Sequence, residues 1–221
     1  MSILIVGLIL IVIAVIGWIW FTTRGNPISD LTPIVVGTQK GTVETTLSAD
    51  LPLAFNQPEG IAFSYTGWIK VDDFTVGYGE RRRIFSKGDC PGVYIDSTSN
   101  SLVVALKTYG TTETVLIPNI PAKKWIHLAV VVDQDSVDIY INGMLRQHHI
   151  LTQMPDQTTA EPVRTGGGWD GVLADLHYYP RVLRDVEVHI LSQEVPAADS
   201  KEAVSVPRYF DITWYTGRFG V

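Results

Sequence analysis

Metal or nucleophile chemistry would have to come from five histidines and one cysteine. His127, His148, His149, His177 and His189 fall on separate expected elements without ligand spacing, and the adjacent pair points to opposite faces of a strand. They read as core or surface histidines. Cys90 precedes Pro91 in a loop with no identified His or Asp partner, so it reads as a structural thiol, and one cysteine excludes an intramolecular disulfide. Asp133, Asp135 and Asp138 could offer oxygens to Ca²⁺, but the run lacks the glycine and distal glutamate of an EF-hand loop and reads as a polar turn. No other cofactor is expected.

Binding chemistry has better candidates. Arg81-Arg82-Arg83 is the one basic run, following Tyr78 in a glycine-flanked loop, and could grip a phosphate, a sugar acid or an acidic surface. The competing reading is a solvated run paired with Glu80, Asp72 and Asp73. Gly166-Gly167-Gly168 precedes Trp169, an expected exposed contact, with neither Lys-Ser/Thr nor a helix to make a phosphate loop. Near the C-terminus, Arg208, Tyr209, Trp214, Tyr215 and Arg218 concentrate the aromatic and arginine content that interface cores prefer. The alternative for that tail is packing on its own domain.

These residues sit on a chain made of two materials. From Ile3 to Phe21 no residue is charged, a run that as a helix extends about 28 Å and matches a bilayer core. Ile3, Leu4, Ile5, Val6 and Leu8 begin it, Trp18, Trp20 and Phe21 gather at its end, and Arg24 follows, as at a membrane interface. The run exceeds a signal-peptide core and lacks its basic flank and cleavage site. A single-pass anchor over residues 1–24 is therefore expected. Arg24 and Lys40 on its downstream side orient the remainder to the cytoplasm, and the absence of Asn-x-Ser/Thr sites agrees. Formal net charge is −6, and with Arg24 the only charge before Asp30 the rest carries 16 basic and 23 acidic residues. That excess repels phosphate backbones, so nucleic acid is not an expected partner.

Beyond a Thr-, Ser- and Pro-rich stalk over residues 25–50, short runs of alternating or continuous apolar character recur with turns between them. Examples are residues 61–71, 92–95, 125–133 and 171–179. Val137–Ile141, then Asn142-Gly143, then Met144–His148 is a two-residue hairpin, because Asn and Gly tolerate positive φ at both turn positions. Trp125–Val132 is apolar on both faces and reads as a central strand, and one helix is expected over Leu183–Gln193. The whole is an all-β pattern.

Four segments carry a resemblance: Phe63–Lys70, Ile84–Asp89, Trp125 through Gly143, and Trp169–Tyr179. In this order they resemble the laminin-G-like, or concanavalin A-like, jelly-roll superfamily, over about residues 50–195. The resemblance implies a two-sheet antiparallel sandwich, here assigned to 51–195 with an aromatic tail at 196–221, that binds sugars, proteins or lipids. It also implies that hydrolysis would need a Glu-x-Asp-x-Glu strand to bring two carboxylates about 5–5.5 Å apart. That triplet does not occur, so a non-catalytic module is expected. An anchored chain of this kind looks like membrane-associated structural proteins of large DNA viruses, which implies a minor capsid protein tying an internal membrane to a shell. The alternative is a membrane-anchored lectin-like protein whose partner is a glycan.

Overall fold

In a computed structural model the chain divides at Thr32/Pro33 into two units. The described residues are 34–157 and 161–194, apart from 48–50, 52–53 and 58–59, together with Ile13, Val15 and Pro196. Ile13 and Val15 are helical and exposed; the expected anchor contacts Ile3, Leu4, Ile5, Val6, Leu8, Trp18, Trp20, Phe21 and Arg24 lie outside the described residues. So do Arg208, Tyr209, Trp214, Tyr215 and Arg218. Among the described residues no helix is long and apolar enough to cross a membrane.

The second unit is a two-sheet antiparallel sandwich. Its strands are β1 Ile34–Lys40, β2 Thr45–Leu47, β3 Phe55–Gln57, β4 Gly60–Asp73, β5 Arg82–Lys87, β6 Gly92–Ile95 and β7 Leu102–Lys107. They continue with β8 Thr112–Ile117, β9 Trp125–Asp133, β10 Ser136–Ile141, β11 Met144–Ile150, β12 Val163–Thr165 and β13 Asp170–Tyr179. One sheet runs β1-β13-β4-β9-β10-β11 with β3 added to β4, and the other runs β2-β12-β5-β6-β7-β8. Side chains alternate across each strand, so Phe63, Tyr65, Ile69, Ile126, Leu128 and Val130 of the first sheet meet Ile84, Val93, Ile95, Val104 and Leu106 of the second. That interleaved layer is the core.

The expected stalk carries two strands. Residues 34–40 pair with β13 and residues 45–47 pair with β12, so this segment closes an edge of each sheet. Backbone pairing along these β-prone pieces covers strands that would otherwise end the two sheets. Gly41 makes the crossing between sheets, and a Cβ there would lie 2.3 Å from the Trp169 ring. Asn142 and Gly143 both have positive φ, 51° and 76°, as the hairpin requires.

The one helix among the described residues of this unit, α1 Asp185–Leu191, lies over the outer face of the seven-stranded sheet. Leu183 N–H donates to Ser64 Oγ of β4 at 3.0 Å, and the Tyr140 hydroxyl of β10 donates to Asp185 at 2.6 Å. Val188 and Leu191 turn inward, which explains why β9 is apolar on both faces: one faces the core and the other faces α1.

Candidate ligand site on the outer sheet face

Strand alternation sorts the three arginines. Arg82 is 1% exposed and donates to the carbonyls of Phe74 (2.6 Å), Val76 (2.9 Å) and Asp96. It holds a loop together and is not a surface contact, a correction that follows from period-two alternation placing residues 81 and 83 outward and 82 inward. Arg81 stands over the Tyr94 ring, its guanidinium carbon 3.7 Å from the centroid, and the Tyr94 hydroxyl donates to Asp89. Arg83 pairs with Glu44 at 2.6 Å, on the β1–β2 connection, in place of the expected Glu80, Asp72 or Asp73. Tyr78 is 65% exposed in its turn.

Trp169 is also corrected, because it is wholly buried. Three successive positive-φ glycines, Gly166 to Gly168, swing the chain so that the indole turns into the core between Gly41 and Gly171. Cys90 is buried, and desolvation pushes its thiol up to about 12, as suits a structural thiol. In the acidic turn, Gln134 takes φ 56° and Asp138 lies 2.5 Å from His148 Nδ1. No cluster of three or more metal-ligating side chains occurs among the described residues.

The adjacent histidines diverge as expected, since His149 reaches Glu113 of β8 in the other sheet at 3.0 Å. The other histidines show what spacing along the chain could not. Trp68 of β4 sits opposite His127 of β9, and Thr66 sits opposite His177 of β13. All four therefore face outward on one patch. The Trp68 and His127 rings are 5.2 Å apart in an edge-on arrangement. Two residues further on the same face, Lys70 holds its ammonium 5.6 Å from the Trp125 ring.

A cavity of about 50 Å³ opens here, lined by Thr66, Trp68, His127, Asp175, His177, Leu191 and Glu194. Asp175 reaches it because β13 is irregular between Ala174 and His177, and Asp175 takes φ 49°. Leu191 and Glu194 arrive from the end of α1. His127 is 2% exposed, and burial, with His177 nearby, pulls its imidazole down to about 4, so the ring is neutral at physiological pH. Its buried Nδ1 has no hydrogen-bond partner. An indole wall, a neutral imidazole, a hydroxyl and two carboxylates around one opening suit a small polar group attached to an apolar ring. Alternation along β4 puts Thr66 and Trp68 on one face, and only strand register brings the histidines to them.

A family model described as the concanavalin A-like lectin/glucanases superfamily matches residues 37–189. The chain belongs to that superfamily. No curated protein sequence matches this lectin/glucanase-type chain. Solved structures similar to its sandwich include the botulinum neurotoxin serotype D binding domain, at 13% identity and TM-score 0.56, covering 71% of this chain and 42% of that one. The botulinum neurotoxin type G receptor binding domain is similar at 16% identity and TM-score 0.51, covering 72% and 46%. The serotype D ligand binding domain in complex with N-acetylneuraminic acid is similar at 13% identity and TM-score 0.52, with the same coverage. The chain spans less than half the length of these neighbours, and at such identities the likeness is one of fold.

Proposed function

We propose that this superfamily member is a non-catalytic, lectin-like binding module, tethered to a membrane by residues 3–21, that takes a carbohydrate on the outer face of its seven-stranded sheet. The observation that carries the reading is the cavity beside Trp68, where an aromatic wall stands next to polar groups. A sugar ring offers an apolar C–H face to an indole and hydroxyls to acceptors, which is the complement of that lining. The missing Glu-x-Asp-x-Glu strand supports binding without turnover.

The tether admits another role, a scaffold joining a membrane to a protein shell such as a capsid, working from the cytoplasmic side that Arg24 favours. A glycan receptor would face the opposite side. The cavity beside Trp68 favours the glycan, because a scaffold has no use for a small polar pocket. The test is a glycan array probed with the full chain in detergent, with and without Ca²⁺. The expected result is binding of a defined sugar class, weakened about ten-fold or more (about 1.4 kcal/mol) by Trp68→Ala. Binding that Trp68→Ala leaves intact would move the site elsewhere, Tyr78 and Arg81 being next. Silence across the array would sink the carbohydrate reading and leave the scaffold.

A further inference from the structure

A second cavity, of about 360 Å³, opens between the β8–β9 connection and the β10–β11 hairpin, and it shares no lining residue with the one beside Trp68. Its size falls within the roughly 300–1,000 Å³ of small-ligand sites. Ile117, Ile120 and Ile126 are buried at its base, Pro118 and Pro121 line the loop side, and Met144 and Leu145 stand exposed on the hairpin side. Large apolar side chains left exposed around a concave apolar surface mark a place where an apolar ligand is buried.

The polar part of the lining is small and of one kind. Arg146 is its only charged side chain, exposed and without an ion pair or hydrogen bond among the described residues. Asn119 and Asn142 add amides. Asn142 Oδ1 accepts from the His127 N–H at 2.8 Å, and a backbone N–H only donates, so the Nδ2 donors are what that amide has left. No carboxylate lines the cavity, in a chain whose formal net charge is −6. One cation and amide donors beside an apolar base are complementary to a single anionic group on an apolar body.

The loop wall selects the body. Pro118 and Pro121 carry no N–H, and that of Ile120 is taken by the Asn100 carbonyl at 2.9 Å. A peptide laid here would turn its carbonyls toward a wall poor in donors, at the cost of unpaired buried polar groups. A hydrocarbon chain needs no such partner. At the head, one guanidinium fork matches a planar carboxylate bidentately, whereas a phosphate dianion exceeds the charge of a single cation. We propose that this cavity binds a long-chain carboxylate of the fatty-acid type, its hydrocarbon against Ile117, Ile120 and Ile126 and its carboxylate on Arg146. The site is separate from the carbohydrate site and stands or falls without it.

The test is photo-crosslinking of the full chain, held in nanodiscs of phosphatidylcholine at mildly alkaline pH, with a dodecanoate carrying a diazirine at mid-chain, followed by mass-spectrometric mapping of the labelled residues. The expected result is labelling within residues 117–121 and 144–146, competed by unlabelled dodecanoate and not by dodecanol. Arg146→Gln, at an exposed position, should lower that labelling about five-fold while labelling of the apolar run at 3–21 stays as it was. Labelling confined to residues 3–21 overturns the proposal, because the probe then only partitions into lipid. Equal competition by dodecanol, or labelling that Arg146→Gln leaves unchanged, overturns it as a greasy surface with no preference for an anion. Labelling of the cavity only after residues 197–221 are removed overturns it in favour of the chain's own aromatic tail. None of these outcomes bears on the glycan array, whose ligand would meet Trp68.

Discussion

Arg82 and His127 are both buried, yet they respond to opposite demands. Arg82 donates to three loop carbonyls, so Arg82→Met removes the protein donor from each of them. With the acceptors part-buried, a loss of about 2–3 kcal/mol in urea unfolding is expected, against little change for Arg81→Met on the exposed side. His127 is neutral because burial, with His177 adding to it, holds its imidazole near 4, below the ordinary 6.5. The unfolded chain therefore binds a proton that the folded chain refuses between those values. Its contribution is fully present above pH about 6.5 and is lost as pH falls toward 4, by about 3 kcal/mol over that interval. Urea midpoints measured from pH 7.5 to 4 should fall for the parent chain and flatten for His127→Gln; equal slopes would mean the ring is not buried neutral.

The hairpin turn and the end of α1 depend on each other. A Cβ on Gly143 would lie 2.3 Å from Ser192 Oγ and 3.1 Å from His189 Cα, and Gly143 has φ 76°. Gly143→Ala should cost about 1–2 kcal/mol by thermal unfolding, from φ strain and the displaced helix end. Because Leu191 and Glu194 close the cavity, it should weaken ligand binding as well; Ser192→Gly in the same chain should restore binding more than stability, since it removes the clash and not the strain. This turn was legible in the sequence, since Asn142-Gly143 dictates its own geometry, and so were the bounds of β6 and β9, set by apolar runs and turn residues. The three-residue β3 and β12 are too short to show a period, and their strand character comes from neighbours. The sheet was readable where the signal was local. The site was not, because Trp68, His127 and His177 meet through register between β4, β9 and β13, which no single stretch encodes.

At the scale of the whole sandwich, the first two strands act as separate closures. β1 covers the edge of β13, β2 covers β12, and Gly41 between them seats Trp169. A chain begun at Leu51, which keeps most of the apolar core, should still fail to fold, exposing two strand edges and aggregating. A chain begun at Pro33 should fold cooperatively; soluble yield and a thermal transition compare the two, and equal behaviour would show that the early strands are dispensable. The long separation of these partners also bears on synthesis. Ile34 meets His177, so the first strand waits in the growing chain until its mate has been made. At the usual 5–20 residues per second that delay is roughly seven to thirty seconds, a period in which β1 lacks its mate and the nascent domain depends on chaperones or its own solubility to keep that strand from mispairing.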